Sequence, residues 1–391
     1  MLCQLVSETK RKTNPFALSI EGVLLIPMLA LHLASLRLLN YRNHAEGNFT
    51  FSSKINGILG NNGVGKTSLI DAIYYLSMCK SYFVSSEKQL VRKGEEQLMA
   101  AGQFVRDGEE EEVVGAWQEA HRKLFKRNSK PYVRLADHIG RFPIVVIAPK
   151  DHELIEGSSE VRRRFVDQVI AQSDAAYLES LLRYNRVLQQ RNALLKEAGR
   201  MGSSLRDLLE PYDLQLQEHG HSIFQARQSF AQAMMQLVNS YYLKISGGKE
   251  VAGLTYESSL LQEPLLDQLR SAQVRDIQAG YTSSGIHKDD FHWELDGERL
   301  RHFGSQGQQK SFLVALKLAQ FDFLGKRSGV QPIMLLDDIF DKLDAERVTH
   351  LIELVNTHHF GQIFLTDTDR QRTAAILQRI NEDSRIIDLG T

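Results

Sequence analysis

The run Gly60-Asn61-Asn62-Gly63-Val64-Gly65-Lys66-Thr67 fits the pattern G-x-x-x-x-G-K-[ST] without exception. A loop of this kind binds the phosphates of a nucleoside triphosphate, here ATP. Glycines let the backbone close around phosphate oxygens. The N–H groups at a helix start, aided by the helix dipole, favour an anion. Lys66 is expected to reach the β- and γ-phosphates, with Ser68 just behind on the helix and the Thr67 hydroxyl ligating Mg²⁺. A second element completes the chemistry. Ile333-Met334-Leu335-Leu336 is an apolar run that ends in Asp337 and Asp338. Asp337 is expected to hold the Mg²⁺ through a water, and Asp338 to orient the attacking water. Lys66, Asp337 and Asp338 are therefore the candidate catalytic residues, and Thr67 and Asp337 the candidate metal ligands. His287 and Asp290 lack a third ligand at suitable spacing.

These residues need a strand before the loop and a helix after it. Ile55 to Leu59 supplies an apolar strand, and Leu69, Ile70, Ile73 and Leu76 recur at helical spacing behind it. Lys66 and Asp337 are 271 positions apart (337 minus 66). No compact GTPase-like domain separates its motifs so widely, so a large insertion must lie between two halves of one head. The segment from Ser159 to Tyr242 fits that role. It contains one proline, Pro211, and amphipathic patterns such as Tyr177, Leu181, Tyr184 and Leu188, broken at the Gly/Ser-rich loop 198–204. Between Leu98 and Arg134, β-type runs flank an acidic turn, Asp107 to Glu112, and read as a hairpin. Ile144 to Ala148 reads as a buried strand. The fold class expected is α/β, with residues 28–150 and 250–391 forming a head that carries an antiparallel lobe at about 98–135. Residues 151–249 form a helical arm.

Composition narrows the setting. Hydrophobic residues make up 42% of the 391 and charged residues 24%, ordinary values for a globular chain. Forty-seven Lys and Arg against 48 Asp and Glu leave a net charge of -1, so any basic surface is local. Two cysteines, Cys3 and Cys79, make neither a disulfide framework nor a metal cluster. Both that and the need for ATP point to the cytoplasm. Lys10, Arg11 and Lys12 before the apolar run Gly22 to Leu36 imitate a secretory signal. Pro27 and His32 interrupt that run, which is too short to span a membrane. Residues 1–27 are expected to be a disordered or mis-assigned extension, with the fold beginning near Met28.

Two further groups complete the reading. Phe303-Gly304-Ser305-Gln306-Gly307-Gln308-Gln309-Lys310 precedes a helix expected from Ser311 to Leu324 and resembles the signature motif of ABC-type ATPases. In those proteins the Ser and Gly at this helix start bind the γ-phosphate of a nucleotide held by another subunit. The resemblance assigns that role to Ser305, Gly307 and Gln308 here. Asp344 sits where a D-loop would. It could equally cap the helix carrying Val348 and Leu351. Arg42, after the first strand, is placed to approach the nucleotide, and Tyr41 is assigned to packing.

Together these motifs resemble the RecF family of ABC/SMC-like ATPases over nearly the whole chain from Leu31. The phrases that carry the resemblance include Asn40-Tyr41-Arg42-Asn43, Met78-Cys79-Lys80-Ser81-Tyr82-Phe83, Arg162-Arg163-Arg164-Phe165-Val166-Asp167 and Gly285-Ile286-His287-Lys288-Asp289-Asp290. The resemblance implies an ABC-type P-loop ATPase head with an inserted helical arm and an ATP-dependent homodimer. It also implies binding to DNA at gaps or single-strand/double-strand junctions, a weak, DNA-stimulated ATPase acting as a switch, and work with RecR and RecO in loading RecA during repair, replication and the SOS response. Departures are Ile286 where the family usually has proline, Asp338 where transporters have Glu, and Thr366-Asp367-Thr368-Asp369 where transporters have the H-loop His. That missing His and the helical insertion argue against a transporter subunit. The arm is too short for an SMC-type tether, and a metabolic kinase has no use for the Ser305 turn.

DNA contacts are weakly marked. His121 to Arg134 holds Arg122, Lys123, Lys126, Arg127, Lys130 and Arg134 and no acid. It could contact phosphates or form a solvated hairpin rim. Arg162, Arg163 and Arg164 are a second candidate, although consecutive helical residues point in different directions.

Overall fold

A computed structural model describes residues 19–20, 23–24, 28–119, 121–197, 205–338, 360–379 and 383–390. Within the expected extension, Ser19–Ile20 pairs antiparallel with Val23–Leu24. This local hairpin was not anticipated, although both strands carry the β-branched residues that favour pairing.

The heart of the head is a five-stranded, wholly parallel sheet. Its order is Ile144–Ile147, Ile333–Leu336, Ile363–Asp367, Ile55–Leu59, Ser384–Asp388. The first four strands are buried along their length, as parallel strands covered on both faces must be. The order unites the two ends of the chain: Leu59 pairs in register with both Asp367 and Asp388. The phosphate loop and the Asp337 carboxylate thus leave the same edge of one sheet, with the strand Ile363–Asp367 between them. That edge, at the strands' carboxyl ends, is where open α/β sheets place ligands.

A six-stranded antiparallel sheet forms the lobe: His44–Thr50, Leu31–Tyr41, Gln97–Arg106, Glu109–Gln118, His121–Arg127 and Lys130–Pro131. It is larger than the region read from sequence, because Leu31–Tyr41 pairs with Gln97–Arg106 across a long gap in the chain. Its first hairpin also turns differently. Asp107 (φ 52°) and Gly108 (φ 83°) make a two-residue turn with both φ positive. Glu109 to Glu112 belong to the strand, and Glu111 is buried beside Arg127 and Arg141.

The arm consists of the helices Ser159–Ala171, Ala175–Lys196 and Leu205–Ser246, the last running on past Tyr242. Tyr177 and Tyr184 are buried, as the periodicity required. Pro211 lies inside the long helix. A three-stranded antiparallel sheet, Ala252–Glu257, Asp290–Leu295 and Glu298–Arg299, returns the chain towards the head. The helix after the Ser305 turn spans Gln306–Ser328, longer at both ends than Ser311 to Leu324. Ser305 itself is the N-cap, so the helix starts at the next residue, and Gly329 (φ 67°) ends it. No helix among the described residues is long and apolar enough to cross a membrane.

Candidate functional site

The strand Ile55–Leu59 leads through the glycine loop into the helix Lys66–Met78, the order the motif requires. Two glycines are obligatory for a physical reason. Gly60 (φ 154°) and Gly65 (φ 109°) hold backbone conformations that other residues rarely adopt. A Cβ on Gly65 would also lie 2.7 Å from His44 Nε2, and one on Gly60 2.7 Å from a Val64 methyl. Lys66 Nζ donates to the carbonyls of Gly60 (2.7 Å) and Asn61 (3.2 Å), which holds the ammonium inside the loop.

The hairpin between Leu31–Tyr41 and His44–Thr50 braces this loop. Asn43 Nδ2 donates to Gly63 O at 2.7 Å, and Ser68 Oγ donates to Asn43 Oδ1 at 3.2 Å. His44 Nε2 lies 3.0 Å from Gly65 O. A carbonyl oxygen only accepts, so Nε2 carries the proton. Burial lowers the His44 pKa and keeps the ring neutral. Arg42 (φ 49°), at the hairpin tip, sits 3.8 Å from the buried Asp71 carboxylate. Tyr41 is fully buried and donates to the same carboxylate, a packing role. Asn43 and His44 were missed as site residues in the sequence. The phrase Asn40-Tyr41-Arg42-Asn43 stood out there, but nothing linear connects it to residues 63–68.

Asp337 meets the loop from the other side. Thr67 Oγ1 donates to its carboxylate at 3.1 and 3.3 Å. Asp337 is only 3% exposed. Burial pushes its pKa up to about 6, against hydrogen bonds from Thr366 and Thr67 and the charge of Lys66, while Asp338 adds to the rise. A buried carboxylate beside a threonine hydroxyl is a hard oxygen donor pair suited to Mg²⁺. Thr67 and Asp337 would hold that ion, which neutralises phosphate charge when bound.

A threonine stands near the place of the transporter-type histidine and makes different bonds. Thr366 Oγ1 donates to Asp337 Oδ1 at 2.8 Å and accepts from the Asp338 backbone N–H at 2.9 Å. One hydroxyl thus fixes both carboxylate residues. Asp338 itself adopts φ 47°, a left-handed conformation that aspartate tolerates better than most residues. It lines a cavity of about 350 Å³ with Asp151, His152, Gln306 and Lys310. Thr366→Val is expected to lower kcat for ATP hydrolysis about 10- to 100-fold, in line with losses at other ligand-orienting positions. Steady-state assays check this, beside thermal melts that measure the destabilisation expected when Asp337 and the Asp338 N–H lose their hydroxyl partner.

Ser305 is exposed and caps the helix Gln306–Ser328: Gln308 N donates to Ser305 Oγ at 3.3 Å, and Ser305 N donates to Gln308 Oε1 at 2.6 Å. Gln308 also contacts Glu250, and Phe303 beside the turn is 71% exposed. Gly307 lies in the first turn of that helix. Asp344 lies outside the described residues.

Three of the six basic residues in the linear stretch pair with acids that come from elsewhere in the chain. Lys123 pairs with Glu87, Arg127 with Glu111 and Arg134 with Glu179. Lys126 and Lys130 make no ion pair among the described residues, and the Arg122 side chain lies outside them. Arg162 pairs with Asp290 at 2.8 Å and Arg164 with Glu160 at 2.6 Å, while Arg163 donates to Asp289 O. His287 Nδ1 faces Tyr184 Oη at 3.0 Å. His287 and Asp290 thus face different partners.

Comparison with known proteins agrees with this geometry. The RecF/RecN/SMC N terminal domain profile matches residues 32–382. A DNA replication and repair protein RecF of Flavobacterium johnsoniae is 45% identical over 359 residues, 92% of this chain and 100% of that one. Its counterpart in Parabacteroides distasonis is 46% identical over 351 residues, 90% and 95% of the two chains. Among solved structures, the recombination mediator protein RecF-ATPrS in the RecFOR pathway superposes with a TM-score of 0.82 at 28% identity, covering 92% of this chain and 97% of that one. An Smc head domain from Pyrococcus furiosus, at 17% identity and TM-score 0.53, shares the fold over 92% and 93% of the chains. A parallel sheet that brings a phosphate loop against Asp337 in an ABC-type ATPase head, in a sequence this close to those relatives, places the chain in the RecF family.

Proposed function

We propose that the protein is an ATP-dependent DNA clamp of recombinational repair, and a weak ATPase that works as a switch. The observation that carries this reading is the convergence of Thr67, Asp337 and Thr366 beside the glycine loop. These groups suit a bound triphosphate: Lys66 meets its β- and γ-phosphates, and Asp338 orients the attacking water. Asp338 is one methylene shorter than the Glu of transporters, which suits slow turnover. The exposed Ser305 turn, with Gly307 and Gln308, suits closure over the γ-phosphate of a second copy. The resulting homodimer grips gapped or junction DNA, and hydrolysis releases it. RecR and RecO are the proposed partners, in the cytoplasm.

Because DNA contacts in such a clamp go to phosphates, affinity should fall steeply with salt. ATP should strengthen binding to gapped duplex at least about tenfold in wild type and not in Lys66→Met. Fluorescence anisotropy across a salt series tests this. Equal affinity with and without ATP would rule out the clamp.

A further inference from the structure

Lys80 and Arg163 are cations that the fold partly buries without giving either an ion pair among the described residues. Both line a cleft of about 570 Å³ bounded by the end of the helix Lys66–Met78, the helices Ser159–Ala171 and Ala175–Lys196, and the turn Ile286–Lys288. The bond from Arg163 to Asp289 O is its one partner there. Burial lowers the pKa of both side chains, as does neighbouring positive charge, Arg164 and Lys123 at Lys80 and Arg227 at Arg163, while Asp167 at both and Asp289 and Asp290 at Arg163 act the other way. Arg164 lines the cleft as well, and its pair with Glu160 is exposed and therefore weak. Arg227 offsets one of the two carboxylates it serves, Asp167 and Asp289, and burial holds His287 near 4, so its ring is neutral. A net positive charge is left, partly shielded from water, in a cleft wide enough for a ligand.

The rest of the lining tells what kind of anion fits. Ile139, Leu178 and Leu181 form an apolar wall, and the amides of Gln168 and Asn185 offer donors and acceptors beside it. A bare phosphate would leave that wall unused. We propose that this cleft binds a phosphate-bearing nucleotide unit, the phosphate on Lys80, Arg163 and Arg164 and the base against Ile139, Leu178 and Leu181. It is distinct from the phosphate loop. Lys66 and Met78 are opposite ends of one helix, about 18 Å apart at 1.5 Å per residue, and no residue of the loop lines the cleft. The unit is supplied either by a DNA strand, in which case the inference rests on the DNA reading above, or by a free nucleotide.

The test uses the full chain carrying Lys80→Met with Arg163→Gln, with Lys80→Arg as the conservative control. Two probes are used: a labelled gapped duplex by anisotropy across salt, and dTMP by equilibrium dialysis in a Lys66→Met background. The double variant is expected to lose about tenfold in affinity for one probe, while Lys80→Arg retains it. If the duplex is the probe affected, the log–log salt slope should flatten by about 1 to 2, one unit for each phosphate no longer neutralised, and the strand is the source. If dTMP is affected and the duplex is not, the source is a free nucleotide. Wild-type binding of both probes by the double variant would overturn the proposal. Neither substitution leaves a paired carboxylate behind, so the melting temperature should be unchanged. If the Arg163 change impairs folding, Lys80→Met alone decides. The dTMP arm does not depend on ATP-strengthened DNA binding, so failure of the clamp and failure of the cleft give different results.

Discussion

Asp337→Asn is expected to hydrolyse ATP at least about 100-fold more slowly than wild type and yet to melt at a higher temperature. Both effects have one cause. Asp337 is buried at the end of the strand Ile333–Leu336, with like charge at Asp338. Its pKa is raised from the ordinary carboxylate value to about 6, so folding disfavours its charged form. Below the unfolded pKa both states are protonated and nothing is lost. As pH rises towards 6 the cost grows, and above 6 it is fully present, about 3 kcal/mol for a shift of roughly two units. An amide carries no charge and still accepts from Thr67 and Thr366. The stabilisation by Asn should therefore appear at pH 7 and vanish near pH 4. Paired thermal melts at the two pH values, with a hydrolysis assay, check it. A variant that loses activity and also melts lower at pH 7 would mean that the carboxylate is structural.

Arg227→Ala is expected to have the largest effect on stability, about 3–5 kcal/mol, by stranding buried charge. Arg227 is 1% exposed on the long helix Leu205–Ser246. It donates to Asp167 on the first arm helix (2.9 Å), and to Asp289 (3.0 Å) and Ile286 O (2.7 Å) at the turn leading back to the head. Tyr177 and Tyr256 donate to the same two carboxylates. Without the guanidinium, two carboxylates stay in a low-dielectric site with only neutral donors. Urea denaturation measures the loss, and a change under about 1 kcal/mol would show that water reaches these groups. The residue ties the arm to the head, so its loss should also weaken any coupling between them.

Both effects rest on contacts that a linear reading reaches unevenly. The phosphate loop and the Asp337 strand were legible because each is a local pattern, a glycine turn between strand and helix and an apolar run ending in a carboxylate. Their union in one head followed because Lys66 and Asp337 must meet one nucleotide, and the structure adds that both leave one sheet. Thr366 was not legible as a site residue. Its strand pairs between Ile333–Leu336 and Ile55–Leu59, and only that order brings its hydroxyl to Asp337. The partners of the basic stretch from His121 were hidden for the opposite reason. The stretch contains no acid, yet Glu87, Glu111 and Glu179 reach it from other elements. Arg227 carried no signal, because its partners are 60 and 62 positions away. Helix limits failed where caps decide: Ser305 starts the helix five residues before the apolar pattern makes it visible.

The proposed clamp stands or falls on whether one copy's Ser305 turn completes the ATP site of another. Light scattering on the full chain decides it, with and without ATP and Mg²⁺, for wild type and Ser305→Arg. Arg at an N-cap costs about 1 kcal/mol, too little to unfold a 391-residue chain, and it places bulk and charge where the γ-phosphate would be received. ATP is expected to double the mass of wild type and to leave Ser305→Arg monomeric. Wild type that stays monomeric with ATP, or Ser305→Arg that dimerises like wild type, would contradict the composite site.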